Sequence, residues 1–358
     1  MIGRMSKAAD SVRRSLSFAR SGARVITPRK ISNILLCEWE KFRRVVRPRS
    51  RPYVAVLDVS NVCNLHCPFC PTGCRRDSGR SSQFINPDLV RNLLDELADY
   101  LVSVNLFDWG EPLLHPNLSD MIALIHERNV LSLASSNLST RARTAPENLV
   151  DAGLDHLAVS VSGATQGVYE RYHRGGCLKT VHENISRIIE RRRRLGKSTP
   201  VIEYKYLAFR HNIQEIDQAR AQARRLAVDL FRCVPGGGDE VSVLEPAPKV
   251  GQESRSPLCH QLWHVVVLKV DGGIAPCCHL YFREDDLGTY PCQSIMTVRG
   301  NDAFATARAF FDPSLAVSLS PELRHPCLKC HMVHGQRHLF DYLRRNPNAV
   351  PGHRTGGP

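Results

Sequence analysis

The stretch Tyr53-Val-Ala-Val-Leu-Asp-Val59, followed closely by Cys63-Asn-Leu-His-Cys67-Pro-Phe-Cys70, decides the reading of this chain. Apolar and β-branched residues over 53–59 predict a strand. The CxxxCxxC spacing then puts three thiols on the loop at that strand's end. Three thiolates on a 4Fe-4S cube leave one iron without a protein ligand, and an open coordination position is where a metal centre takes up a reactant. On spacing alone, a zinc site or unrelated loop thiols are the competing readings.

Thirteen cysteines in 358 residues are too many to be explained by packing. Their odd number and the chain's length argue against a disulfide-stapled miniprotein, so ligation is the better explanation. No run of about 18 apolar residues occurs, and the N-terminal stretch lacks the short apolar core of a secretory signal. A cytoplasmic protein of two domains with tails is expected.

Most of the formal charge of +13 sits at one end: residues 1–51 hold fourteen Lys or Arg against Asp10, Glu38 and Glu40. Ile31, Leu35, Leu36, Trp39 and Phe42 recur there at helical intervals, which predicts one or two basic amphipathic helices. Such an arm suits an anionic membrane surface or an acidic partner; a solvated arm packed on the main domain is the plainer alternative. No aromatic-interleaved basic platform accompanies the charge, so nucleic acid is not an expected partner.

From residue 53 to about 235, strand-like and helix-like segments alternate. Strands are predicted over 53–59, 102–107, 130–135, 156–161, 201–208 and 229–234, and helices over 87–101, 117–128, 144–152, 178–196 and 212–227. The pattern is that of an α/β protein with a parallel sheet, whose ligands gather at the C-terminal ends of the strands.

The cysteine loop, with Phe69 before its third cysteine, resembles the signature of the radical S-adenosylmethionine (SAM) enzymes. The resemblance implies a partial (β/α)6 TIM-like barrel and a 4Fe-4S cluster on Cys63, Cys67 and Cys70. The cluster's open iron would chelate SAM and cleave it to a 5'-deoxyadenosyl radical. Phe107-Asp-Trp-Gly-Glu-Pro112 is similar to the family's GGE motif, with Trp109 in place of the first glycine; Gly110 and Glu111 are then implied to hold the SAM amino group. By the same resemblance Asn137 lies in a polar cluster near SAM. Ser160 faces its ribose or carboxylate side, and Arg174 neutralises the carboxylate, with Arg171 as the fallback. Ser162 stands where an aspartate is usual.

Further on come Cys259, the run Asp271-Gly-Gly-Ile-Ala-Pro-Cys-Cys278 and Cys327-Leu-Lys-Cys330. These are similar to the auxiliary-cluster region called SPASM, or its shorter twitch form. One auxiliary 4Fe-4S cluster on Cys259, Cys277, Cys327 and Cys330 is implied, with Cys278 or Cys292 as possible replacements for one of them. A four-thiolate zinc site is the rival. The expected organisation is a basic arm (1–50), a radical SAM core (51–240), the auxiliary domain (241–335) and a tail (336–358) whose end is disordered.

The expected reaction is hydrogen-atom abstraction followed by two-electron oxidation of a small-molecule or sugar-type substrate, plausibly anionic. The reductant would be a flavodoxin or ferredoxin. A peptide- or protein-modifying maturase is the alternative, although the arm is too short for a leader-binding winged helix. A radical epimerase with Cys233 as hydrogen donor is another. A non-catalytic, zinc-stabilised binding protein would explain the cysteines but not the motifs at successive strand ends.

Overall fold

The structure is a computed structural model that describes residues 22–140, 145–236, 258–259, 261–314 and 324–334. Residues 1–21 of the arm, the boundary expected at 240 and the tail lie outside the described residues. Helix α1 (Pro28–Phe42) opens with Thr27 accepting from the Lys30 N–H and Pro28 in the first turn, where a missing N–H costs nothing. Then follow β1 (Val54–Leu57), α2 (Pro87–Leu97), β2 (Ser103–Asn105), α3 (Leu118–Glu127), β3 (Leu131–Ser136), α4 (Asn148–Asp151) and β4 (His156–Val161). Next are α5 (Gln166–Tyr172), α6 (Leu178–Arg194), β5 (Val201–Ala208), α7 (Ile216–Arg225) and β6 (Leu230–Pro235). The C-terminal part contributes α8 (Gln261–His264), β7 (Val265–Leu268), β8 (Gly273–Ala275), β9 (Gly288–Thr289), α9 (Ile295–Arg299), α10 (Asp302–Ala309) and α11 (His331–His334).

All nine strands form one sheet in the order β6-β5-β4-β3-β2-β1-β7-β8-β9. Strands β1 to β6 run parallel, as expected for a partial barrel, and β7 joins them in parallel beside β1, pairing Val54 with Val265 and Leu57 with Leu268. Strands β8 and β9 return antiparallel. The C-terminal cysteine region therefore extends the barrel sheet. Helices α9 and α10 are divided at Gly300-Asn301, because the Asn301 side chain accepts from the Phe304 N–H and starts a new helix.

Side-chain alternation divides the sheet into two faces. Ala55, Leu57, Val104, Ala134, Leu157, Val159, Tyr204, Tyr206 and Phe231 pack with the helices in the main core. The opposite face is the barrel lumen. Its β1–β7–β8 wall is apolar, with Val56, Val265, Val267 and Ala275 buried together and Val54 and Cys278 against them.

Candidate active site

The cysteine loop leaves β1 at its C-terminal end and is pinned by backbone contacts. Glu111 N–H donates to the Val62 carbonyl at 2.9 Å, and His66 N–H donates to that of Arg174 at 3.0 Å. A Cβ at position 110 would stand 1.8 Å from the Ser60 carbonyl oxygen, so only glycine lets the Trp-Gly-Glu turn press against this loop. Cys63, Cys67 and Cys70 are half-buried neighbours. Burial, with a contribution from Cys70, pushes the Cys63 thiol up to about 12; burial followed by the charges of Cys63 and Cys70 does the same for Cys67. Such crowding disfavours three free thiolates and suits a cationic centre that would neutralise them. The Leu65 N–H (3.5 Å) and Asn137 Nδ2 (3.9 Å) both point at the Cys63 sulfur. Among the described residues, no three His, Cys, Asp or Glu side chains converge tightly enough to grip a single ion.

The implied SAM contacts are brought to the same end of the barrel, in unequal roles. Phe69 is exposed beside Tyr172 and Phe209, with ring centroids 6.2 and 6.1 Å away. Asn137 bonds Asn64 Oδ1 at 3.1 Å and accepts from the Ser139 N–H at 2.7 Å, which fixes the turn after β3. Ser160 is half-buried on the lumen face of β4. Arg174 meets the cysteine loop through its carbonyl, while the residue is exposed, as is Arg171.

Two expectations need correction. The Glu111 carboxylate is buried and already accepts from Ser136 Oγ (2.6 Å), Asn137 N–H (2.9 Å) and Leu113 N–H (3.1 Å). It ties the turn after β3 to the Trp-Gly-Glu turn and is not presented to a ligand. Cys233 pairs in register with Tyr206 and packs against the helix-side core, so strand parity directs it away from the lumen. Ser162 is also structural: its hydroxyl donates to the Tyr169 carbonyl at 3.1 Å and lies 2.6 Å from His173 Nδ1.

On the lumen face, Ser160, Lys205 and Arg232 form one row across β4, β5 and β6. Lys205 Nζ lies 3.4 Å from Ser135 Oγ. Arg232 Nε bonds the buried Glu203 carboxylate, whose other oxygen is 3.5 Å from His156 Nε2. Sequence reasoning missed this polar wall, although Glu203 and Lys205 alternating with Ile202, Tyr204 and Tyr206 carry its signal.

A second thiol group lies by β7 and β8. Cys259, Cys327 and Cys330 pack against the main core, and Cys277 and Cys278 follow β8. Burial raises the thiols of Cys259 and Cys327, and nearby cysteines add to both: Cys330 and Cys278 for the first, Cys259 and Cys330 for the second. Its contact with Cys278 and burial keep Cys277 protonated, and the same contact, aided by Lys269, eases ionisation of Cys278. Cys292 is exposed. The Asp271-Gly-Gly turn is held by Gly272 at φ +87°, where a Cβ would meet the Tyr290 carbonyl oxygen at 2.2 Å.

Between the two thiol groups is a buried polar knot. Lys269 Nζ donates to Asp108 Oδ2 (2.5 Å) and the Leu280 carbonyl (2.7 Å), which Trp109 Nε1 also approaches at 3.3 Å. Trp109 N–H reaches Asp58 Oδ1 at 3.4 Å. Burial, then the charge of Asp108, pushes Asp58 up to about 7; burial does the same to Asp108 against the pull of Lys269. In unfolded chain both carboxyls ionise near pH 4, so the folded state holds extra protons between about pH 4 and pH 7 and loses stability as pH rises through that window. Asp58→Asn removes one of these carboxyls. Urea unfolding at pH 5 and pH 8 should therefore show the variant gaining on the wild type at the higher pH; an unchanged difference would refute the assignment.

The fold is a partial barrel with three neighbouring thiols on the loop after its first strand. Residues 57–206 match the family model described as the Radical SAM superfamily. The PqqA peptide cyclase of Bradyrhizobium diazoefficiens is 29% identical over 134 residues, covering 37% of this chain and 34% of that protein. The probable GTP 3',8-cyclase of Methanococcus maripaludis is 24% identical over 134 residues, 37% of this chain and 44% of that one. The matches thus span less than half the length of these relatives. Among solved structures, Streptococcus suis SuiB bound to S-adenosylmethionine superposes with a TM-score of 0.58 at 12% identity, covering 73% of this chain and 68% of that one, a likeness of fold. The matched family model implies a 4Fe-4S cluster and SAM. No described helix is long and apolar enough to cross a membrane.

Proposed function

We propose that this chain is a radical SAM oxidoreductase with an auxiliary cluster, acting on a small anionic substrate held in the barrel lumen. The observation that carries this reading is the second group of buried thiols, placed by β7 and β8 beside the strand that leads to the first. Cys63, Cys67 and Cys70 would hold the SAM-binding cluster, and Cys259, Cys277, Cys327 and Cys330 the auxiliary one. When bound, these groups supply one-electron reductive cleavage of SAM to a 5'-deoxyadenosyl radical and an acceptor for the electron later lost by the substrate.

The chain's own residues orient and enclose. Gly110 and Glu111 hold the cysteine loop against the turn after β3 through the contacts described above. The rings of Phe69, Tyr172 and Phe209 cover the loop and limit water. Lys205, beside the ion-paired Arg232 and Glu203, supplies positive charge on the wall facing the apolar β1–β7 side, which favours a substrate with a phosphate or carboxylate at one end.

Anaerobically reconstituted protein should hold about eight iron and eight sulfide, and turnover should give a product two electrons more oxidised without solvent deuterium at the reacting carbon. About four iron with one zinc would remove the auxiliary cluster from the proposal. An isomeric product carrying deuterium would replace oxidation with epimerisation. A second reading, peptide modification, is favoured by the matched peptide cyclase and by the SuiB fold, seen also bound to its precursor peptide SuiA. Loss of turnover on an anionic small molecule in Arg232→Met, with SAM cleavage retained, would favour the first reading.

A further inference from the structure

Helix α1 is amphipathic in the reverse sense for a surface helix. Its inward positions are Lys30, Asn33, Cys37 and Glu40. Each polar one is satisfied: Lys30 Nζ donates to the Asn129 carbonyl, Asn33 pairs with the Arg51 backbone through both N–H and carbonyl, and Glu40 accepts from the N–H groups of Arg49 and Ser50. Its outward positions are Ile31, Leu35, Trp39 and Phe42, at i, i+4, i+8 and i+11, with Leu36 beside them; they are 47%, 66%, 57%, 73% and 40% exposed. These five are half of the large apolar side chains exposed among the described residues. A solvated helix would be sorted the other way, so the apolar stripe is built to be covered.

Charge selects what covers it. Residues 1–51 carry fourteen basic and three acidic side chains, a net +11 of the chain's +13. Arg43 and Arg49 are exposed at the end of the stripe, and Arg29 and Arg47 are exposed near its two ends in surface ion pairs. A second copy would bring two such basic arms together. The stretches 1–21 and 335–358 are themselves basic, with five and four Lys or Arg against one acid each. Aromatic and aliphatic side chains bordered by arginines match the boundary between headgroups and acyl chains.

We propose that α1 docks this protein on an anionic lipid surface, with Leu35, Trp39 and Phe42 in the interface and the flanking arginines on headgroups. The helix meets the barrel at the N-terminal ends of the strands. Arg24 pairs with Asp155 before β4, Lys30 reaches Asn129 before β3, and the Cys37 thiol donates to the Trp263 carbonyl before β7. The first cysteine loop opens at the other end, after the C-terminal end of β1. A docked molecule therefore turns its active-site mouth away from the bilayer and takes substrate from the aqueous side.

The test is co-sedimentation of the full-length reconstituted protein with vesicles of phosphatidylcholine alone or mixed with phosphatidylglycerol. Partitioning should be at least about tenfold stronger on the mixed vesicles, fall in high salt, and shift Trp39 fluorescence to the blue. The triple substitution Leu35→Ser, Trp39→Ser, Phe42→Ser should weaken it at least about tenfold while leaving SAM cleavage unchanged. No preference for anionic vesicles would overturn the proposal. So would a wild-type dimer that the triple variant makes monomeric without vesicle binding, which would assign the stripe to a second copy. Vesicle binding that appears only after deletion of the acidic stretch 237–257 would assign it to that segment instead.

Discussion

Replacing Cys63, Cys67 and Cys70 together by alanine should abolish 5'-deoxyadenosine formation in the presence of a strong reductant and leave about four iron per chain. The three thiols sit in one loop whose backbone is clamped by Gly110, Glu111 and Arg174, so no other side chain is positioned to replace them. Cys74 comes nearest, and its sulfur is directed at the Pro68 carbonyl at 2.9 Å. The remaining iron would report the C-terminal thiols separately. Residual deoxyadenosine above the unreduced control would place SAM cleavage elsewhere, and complete loss of iron would show that the second group depends on the first.

The second large effect is expected at Arg80, which is 2% exposed in its side chain and forms ion pairs with Asp271 and Asp286. Its Nη2 lies 2.6 Å from both Asp286 oxygens and its Nη1 meets Asp271. Arg80→Ala leaves the largely buried Asp286 without its cation and Asp271 with only the exposed Arg283, and removing one partner of a buried pair costs about 3–5 kcal/mol. Urea unfolding should show that loss. Combined with Asp286→Asn, the cost should be less than the sum of the single changes, because the same interaction is removed twice. Full additivity would mean that the pair is not coupled.

The six barrel strands and the first cysteine loop were legible because both are local signals, a period of two and a fixed spacing. The helix start at Asn86-Pro87 is a local signal too, and the Asn86 side chain does accept from the Asp88 N–H; Asn117, equally local, makes no side-chain cap bond. What escaped was long-range. Arg80 meets Asp271, and Lys269 meets Asp108, from opposite ends of the chain, and no local pattern records such partners. The row Ser160–Lys205–Arg232 depends on the register of three strands. Glu111 was read as a ligand because its motif is associated with one; the structure gives its carboxylate three protein donors. Cys233 could have been placed correctly, since it alternates with Arg232 in the same phase as Phe231, and one of those two faces must carry the helix packing.

The seam between β1 and β7 bears on how this enzyme could be rebuilt. Of the strands near its C-terminal thiols, β7 hydrogen-bonds to β1, and that pairing covers the side of β1 not taken by β2. Deleting or exchanging everything after β6 as a cassette would leave β1 with a raw edge of unpaired N–H and C=O groups beside the first cysteine loop, a template for joining other chains. A chimera that borrows an unrelated C-terminal unit must therefore supply a parallel strand in the register Val54 to Val265.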